Sequence, residues 1–166
     1  MDAGHTNANC ARPHSLRRKS PAKADLRAVR IETDSAEATE RAAAELARRL
    51  RPGDAVLVSG ELGSGKTTFV RGACRALGVT EPVTSPTFTI GQVYGGGDGV
   101  PEIAHLDLYR LPTLAGEDPA LLDDYLTPER IGFVEWPGVG AGSFERVAAR
   151  VTLEHRGGDR RVVTIE

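Results

Sequence analysis

The chain has 166 residues, of which 23 are acidic and 21 basic, giving a formal net charge of −2. This balance argues against a dedicated nucleic-acid binder, which usually carries a basic surplus. No apolar run approaches the roughly 18 residues needed to cross a bilayer. The length suits one domain with its own core. The two cysteines, Cys10 and Cys74, are too few for a disulfide scaffold, so we expect a reduced, cytoplasmic setting.

The first 26 residues show no hydrophobic periodicity and combine Arg17, Arg18 and Lys19 with serine, proline and asparagine. This composition predicts a disordered basic tail over 1–26, ahead of one domain over 27–166. No stretch of roughly 7 to 15 apolar residues follows the positive charges, as a secretory signal would require. Two interpretations stay open: a solvated tail, or a basic arm that touches RNA.

Hydrophobic periodicity predicts alternating strands and helices in the first half of the globular part. The predicted elements are an edge strand at 28–31, a helix at 36–50, an apolar strand at 55–58 and a second helix ending near residue 78. The apolar run at 55–58 is typical of a strand that is buried on both faces. A glycine-rich segment joins it to the second helix.

Hairpin signals dominate the second half. The predicted elements are a strand at 87–94 with a hairpin partner at 102–109, a short helix at 120–125, a buried strand at 131–134 and a terminal hairpin at 147–154 and 160–165. The whole pattern predicts an α/β domain, in which helices flank a mixed β-sheet that ends in a C-terminal antiparallel hairpin.

The glycine-rich segment Gly60–Thr67 reads GELGSGKT, which fits the phosphate-binding pattern G-x-x-x-x-G-K-[ST]. Glycines let the backbone wrap closely enough for its N–H groups to point at phosphate oxygens, aided by the positive end of the helix dipole. Lys66 is expected to reach the β- and γ-phosphates, and Thr67 to offer its hydroxyl to Mg²⁺. The residues expected to bind the nucleotide are Glu61, Leu62, Gly63, Ser64, Gly65, Lys66, Thr67 and Thr68. A P-loop NTPase-type domain is therefore predicted.

Lysine is scarce, with three residues against 18 arginines, and Lys66 is the last lysine in the chain. The Asn-Lys-x-Asp segment with which GTPases read guanine is therefore missing, which favours ATP. A kinase would need clustered arginines in a lid, but the acidic stretch 111–126 has none. Hydrolysis is favoured over transfer, and a small-molecule phosphotransferase of the P-loop class stays as the alternative. A nucleotide-gated binding module whose basic tail touches tRNA is a third.

Two carboxylates are candidates for the Mg²⁺ site that such an ATPase needs. Asp107 shares one face of a predicted strand with His105 and Tyr109, because side chains alternate along a strand. Glu135 follows the apolar run 131–134, the usual position of a Walker-B-type acid. For both, the competing interpretation is a solvated carboxylate at a strand edge.

The segment 85–89, with sequence SPTFT, lies between the phosphate loop and these two acids. Its three hydroxyl groups suit a switch segment that senses the γ-phosphate. The same residues suit the entry of an ordinary strand. The sequence alone leaves both interpretations open.

The motifs GELGSGKTT, SPTFT, HLDLYRL and VEWP, in this order and at these separations, resemble the bacterial TsaE (YjeE) family. The resemblance spans about residues 31–137. It implies a compact P-loop protein that binds ATP and Mg²⁺ and hydrolyses ATP slowly when alone. It also implies work with TsaD and TsaB, which make threonylcarbamoyladenosine in tRNA, so that tRNA is met indirectly through that complex.

The resemblance further implies roles for single residues. Thr67 and Glu135 would hold Mg²⁺, and Asp107 would be a metal-linked or water-positioning acid. Trp136 would shape the nucleotide site beside Glu135, and 85–87 would act as the switch-like segment. Together with Lys66, the two acids are the predicted catalytic residues.

Overall fold

The structure is a computed structural model that describes most of the globular part of the chain. The described residues are 28–86, 89–97, 99–110, 120–138, 144 and 146–166. The predicted tail at 1–26 lies outside them, as do Thr87 and Phe88 of the predicted switch segment and most of the acidic stretch. None of the helices in the described ranges has the length and apolar character to span a membrane.

The described chain forms one seven-stranded mixed sheet with helices packed against it. Its elements are β1 (Val29–Thr33), α1 (Ala36–Ala47), β2 (Ala55–Gly60), α2 (Lys66–Ala76), β3 (Gly91–Tyr94), β4 (Glu102–Asp107), α3 (Ala120–Asp123), β5 (Arg130–Glu135), β6 (Val147–His155) and β7 (Arg161–Ile165). The strand order is β1-β7-β6-β2-β5-β4-β3. Strands β6, β2, β5 and β4 run parallel, whereas β1, β7 and β3 pair antiparallel at the two edges. The predicted mixed sheet and its C-terminal antiparallel hairpin are confirmed.

Some predicted boundaries are wrong by a few residues, and the hydrogen bonds give the reason. Helix α1 ends at Ala47 rather than at Leu50, because the N–H groups of Arg49 and Leu50 bond to carbonyls only three residues back and tighten the chain into a turn. Strand β4 ends at Asp107 rather than at Tyr109, because the Asp107 carboxylate accepts the Tyr109 N–H at 3.0 Å. Strand β3 begins at Gly91, after a bend.

The sheet is buried on both faces, and the alternation of side chains along β2 divides the core in two. Val56 and Val58 pack on the face that α1 and α2 cover, together with Phe69 of α2 and Phe133 of β5. Leu57 points to the opposite face. Its cluster there contains Ala104, Leu106, Leu108, Leu122 and Val134. The central strands therefore read as continuous apolar runs, as the sequence predicted for a parallel sheet covered on both sides.

Helix α2, which begins at the phosphate loop, is fixed against α1 by close packing and charge. A Cβ atom at Gly72 would lie 2.4 Å from the Cα of Glu40, so only glycine lets the two helices approach this closely. Glu40 also accepts a hydrogen bond from Arg75 at 2.6 Å. Burial raises the pKa of the Cys74 thiol in the same helix to about 12, so this side chain packs as a neutral apolar group.

Candidate functional site

The phosphate loop joins β2 to α2 in a conformation that requires glycine at key positions. Gly60 has φ +147° and Gly65 has φ +99°, values that side chains with a Cβ rarely adopt. Gly65 is also the N-cap of α2 and offers no side-chain cap to the first turn. The backbone N–H groups there are therefore available to an anion, and the helix dipole favours one.

Lys66, the first residue of α2, lies folded back over this loop. Its Nζ donates to the carbonyl oxygens of Gly60 at 3.0 Å and Glu61 at 2.9 Å. It also lies 3.9 Å from the centroid of the Trp136 ring, a cation–π contact. Burial lowers the pKa of Lys66, and the nearby negative charges of Glu135 and Asp107 partly oppose that shift. The ammonium is thus held close to both predicted acids at the point where phosphate oxygens would enter.

Glu135 is the last residue of β5 and lies directly opposite the start of α2. Its Oε1 accepts a hydrogen bond from the Thr67 hydroxyl at 2.9 Å. The interpretation of Glu135 as a solvated carboxylate is wrong, because the residue is only 2% exposed and its strand pairs with β2 and β4 on either side. The structure therefore brings Thr67 of the phosphate loop and this acid into direct contact.

Asp107 lies beside Glu135, since the two residues are register partners at the ends of the parallel strands β4 and β5. Its Oδ2 accepts a hydrogen bond from the Ser85 hydroxyl at 2.8 Å. The first residue of the predicted switch segment is therefore in contact with the second predicted acid. Ser85 and Asp107 are both partly exposed, which leaves this side of the site open.

His105 and Arg161 also contact the site, and sequence reasoning did not assign either residue to it. His105 Nε2 lies 2.8 Å from Glu135 Oε1, and the signal that was available is its position on the same face of β4 as Asp107. Arg161 of β7 donates from one terminal nitrogen to the Gly63 carbonyl at 3.3 Å. No local pattern indicates this second contact, because it depends on the parallel pairing of β2 with β6, which brings the hairpin of β6 and β7 beside the loop.

Trp136 has a positive φ of +55°, the only such value at a non-glycine residue in the described ranges. This conformation costs backbone strain. The indole contacts both Lys66 and the ring of Tyr109, whose centroid is 4.9 Å away. An open cavity of about 510 Å³ lies between this segment and the phosphate loop. Its lining residues are Ser59, Gly60, Glu61, Leu62, Trp136, Pro137 and Gly138.

Thr68 lies next to Thr67 in the first turn of α2, partly buried.

The oxygen atoms at this edge fit Mg²⁺, a hard cation that prefers oxygen ligands. The Thr67 hydroxyl gives its proton to Glu135, so its lone pairs face away from that bond and can bind a metal. Within the described ranges no group of three or more His, Cys, Asp or Glu side chains could hold a metal ion. Two carboxylates with one hydroxyl are instead the partial set expected where Mg²⁺ keeps waters and binds substrate phosphates.

A glycine-rich loop between a central parallel strand and a helix, with an acid from the neighbouring strand beside it, defines the P-loop NTPase fold. Residues 33–163 match the family model described as threonylcarbamoyl adenosine biosynthesis protein TsaE. The chain belongs to this TsaE family.

Individual relatives agree with the family match. The tRNA threonylcarbamoyladenosine biosynthesis protein TsaE of Bacillus subtilis is 34% identical over 84% of this chain and 85% of its own length. The protein of the same name from Mycobacterium leprae is 36% identical over 86% of this chain and 93% of its own length. The crystal structure of Bacillus subtilis YdiB superposes with a TM-score of 0.66 at 31% identity, covering 83% of this chain and 84% of that one.

Proposed function

We propose that this protein is a Mg²⁺-dependent ATPase that supports the formation of threonylcarbamoyladenosine in tRNA by acting on a complex of TsaB and TsaD. The observation that carries the ATPase proposal is the 2.9 Å hydrogen bond between Thr67 of the phosphate loop and Glu135 of β5. It joins the residue that suits Mg²⁺ in a P-loop to a buried carboxylate, which is the pairing that ATP hydrolysis needs.

The phosphates of ATP are proposed to bind the N–H groups at the start of α2. Lys66 would then exchange its bonds to the Gly60 and Glu61 carbonyls for bonds to the β- and γ-phosphates. The phosphate bonds join an ammonium to an oppositely charged acceptor, so they are stronger than its bonds to neutral carbonyls and the exchange favours nucleotide binding. A bound Mg²⁺ would neutralise charge that develops on the phosphate oxygens.

The two acids are proposed to divide the remaining work. Glu135 holds the Thr67 hydroxyl and, with it, the metal. Asp107 lies on the more open side and is proposed to orient a metal-bound or attacking water through one carboxylate oxygen. Its contact with Ser85 would then report the state of the γ-phosphate to the predicted switch segment.

The partner proposal is supported by the family and by charge. The TsaE family carries threonylcarbamoyl adenosine biosynthesis in its description. A net charge of −2 suits a protein that meets tRNA through TsaB and TsaD rather than by gripping RNA itself. ATP is proposed over GTP because the guanine-reading segment is missing from the sequence.

The test is Lys66→Ala in a reconstituted modification assay with TsaB, TsaD, ATP, Mg²⁺ and tRNA, with the exposed Arg48→Ala as control. We expect the Lys66 variant to lose multiple-turnover tRNA product and ATP hydrolysis, and the control to keep both. Normal product from the Lys66 variant would overturn the proposal. Transfer of phosphate to a metabolite, with no stimulation of hydrolysis by TsaB and TsaD, would favour the phosphotransferase alternative.

A further inference from the structure

His105 is a fully buried polar residue in the core beneath the proposed metal site. It lies in β4 with 0% exposure, two residues before Asp107. Its neighbours along the same face of the sheet include Ile103 and Phe133, both fully buried. Burying an imidazole in such surroundings costs free energy unless its polar atoms find partners. A residue kept there at that cost needs an explanation beyond packing.

The described partner of the ring is Glu135. Nε2 lies 2.8 Å from Glu135 Oε1, the same oxygen that accepts the Thr67 hydroxyl. Nδ1 is buried and has no hydrogen-bond partner in the described part of the chain. A proton on Nδ1 would therefore find no acceptor there, whereas a proton on Nε2 is donated to a carboxylate. The imidazole thus carries its proton on Nε2 and acts as a donor to Glu135.

We propose that His105 is a positioning residue that orients the Glu135 carboxylate for Mg²⁺ binding, an inference that rests on the proposed ATPase function. Both described hydrogen bonds to the carboxylate end on Oε1. They fix the rotation of the group and leave Oε2 for the metal or for a water bound to it. His105 itself touches neither nucleotide nor metal. Mutating a residue that hydrogen-bonds to a metal ligand in this way typically weakens metal binding about 10- to 100-fold.

The two amide variants separate the donor from the bulk of the ring. His105→Gln can place an amide N–H near the position of Nε2, whereas the shorter side chain of His105→Asn reaches only to the position of Nδ1. His105→Leu removes the donor and keeps an apolar side chain in the core. All three are compared with the unmodified chain by thermal unfolding, and by binding of ATP with and without Mg²⁺. Fluorescence of Trp136, the single tryptophan of the chain, is a suitable binding signal.

We expect the Mg²⁺ concentration for half-maximal binding of Mg²⁺·ATP to rise about 10- to 100-fold in the Leu and Asn variants. The Gln variant should stay near the unmodified chain, and affinity for ATP without Mg²⁺ should stay unchanged in all three. A purely structural histidine would instead lower the melting temperature without moving the Mg²⁺ dependence. That outcome, or equal Mg²⁺ dependence in the Gln and Asn variants, would overturn the proposal.

The design also keeps the two proposals apart. If the Leu variant does not fold, the comparison of Gln with Asn carries the test, because both keep a polar side chain. If the unmodified chain binds ATP in a Mg²⁺-dependent way and the variants match it, only the role of His105 fails. If the unmodified chain binds no ATP with or without Mg²⁺, the ATPase proposal fails and the role of His105 fails with it.

Discussion

The phosphate loop and the two acids meet at the carboxyl ends of the central strands β2, β5 and β4, but the chain holds them in different ways. Lys66 bonds to carbonyls five and six residues before it. Glu135, by contrast, is held by Thr67 and His105, which are 68 and 30 positions away along the chain. The phosphate loop with Lys66, here called the local half of the site, is thus folded by contacts within one short segment. Asp107 and Glu135, here called the assembled half, are brought together by the register of the parallel strands β2, β5 and β4.

The two acids depend on the rest of the fold more than the phosphate loop does. A loop built from its own neighbours keeps its shape as long as β2 and α2 exist. The acids stay in place only while β4 and β5 keep their register, which makes Asp107 and Glu135 neighbours. A one-residue slip of either strand would turn the acid of that strand to the opposite face of the sheet and separate the two carboxylates. We therefore expect mutations to affect the proposed phosphate binding and the proposed metal binding separately.

Glu135→Gln should have the largest effect and should break the assembled half alone. The amide keeps the size of the side chain but removes the charge that would stabilise Mg²⁺. We expect ATP hydrolysis to fall about 100- to 1,000-fold, as when a group that stabilises transition-state charge is removed. Binding of ATP without Mg²⁺ should persist, because Lys66 and the loop are intact. Glu129→Gln, at an exposed glutamate, is the control; near-normal hydrolysis in the Glu135 variant would contradict the role of this acid.

Gly60→Ala should show that one position of the local half also depends on a distant strand. A Cβ at Gly60 would lie 2.5 Å from the Leu153 carbonyl oxygen of β6 and 2.5 Å from Ser64 Oγ of the loop itself, and φ there is +147°. The Ser64 side chain can rotate away from the added methyl group, whereas the backbone carbonyl of β6 cannot. We expect a loss of about 2 to 4 kcal/mol from overpacking and backbone strain. Gly63→Ala is the matched control, since nothing lies within 4 Å of its Cβ position, and it should cost only about 1 kcal/mol from its positive φ.

Thermal unfolding measures both glycine variants, at about 2 to 4 °C for each kcal/mol in a chain of this size. The Gly60 variant should therefore melt well below the Gly63 variant. Equal melting temperatures would mean that β6 gives way to the added methyl group. The conformation of the loop at Gly60 would then not depend on β6.

The same division explains what the sequence could predict. The loop from Gly60 to Thr67 follows from a contiguous pattern, and the structure places it between a buried strand and a helix as expected. The sequence singles out Glu135 because an acid after an apolar strand is also a local signal. The contact of His105 with that acid was missed, because it depends on which strands are neighbours and in which register. The local sequence pattern around His105 does not indicate which strands pair or in which register.

Ser85→Ala should have a smaller effect, on the more open acid. It removes the hydroxyl that donates to Asp107 at 2.8 Å. A hydrogen bond of this kind to a charged group contributes about 1.5 to 3 kcal/mol when well shielded, and less when partly exposed. We expect a loss of roughly 3- to 10-fold in hydrolysis, with ATP affinity unchanged. Thr80→Ala, at an exposed threonine outside the site, is the control. Equal hydrolysis rates in the two variants would show that the Ser85 hydroxyl makes no contribution to hydrolysis.

Arg161→Ala should have the smallest effect. It tests whether the C-terminal hairpin contributes to nucleotide binding by the phosphate loop. Arg161 donates to the Gly63 carbonyl across 98 positions of the chain, at 3.3 Å and on the exposed side of the loop. Exposed contacts of this kind contribute about 1 kcal/mol or less, so ATP affinity should fall only about two- to fivefold. Hydrolysis at saturating ATP should not change, because the acids are untouched. Arg160→Ala, at the exposed neighbouring arginine, should leave affinity unchanged. A fall in the saturated rate of the Arg161 variant would show instead that the hairpin acts on the metal side, and the division into a local and an assembled half would not hold.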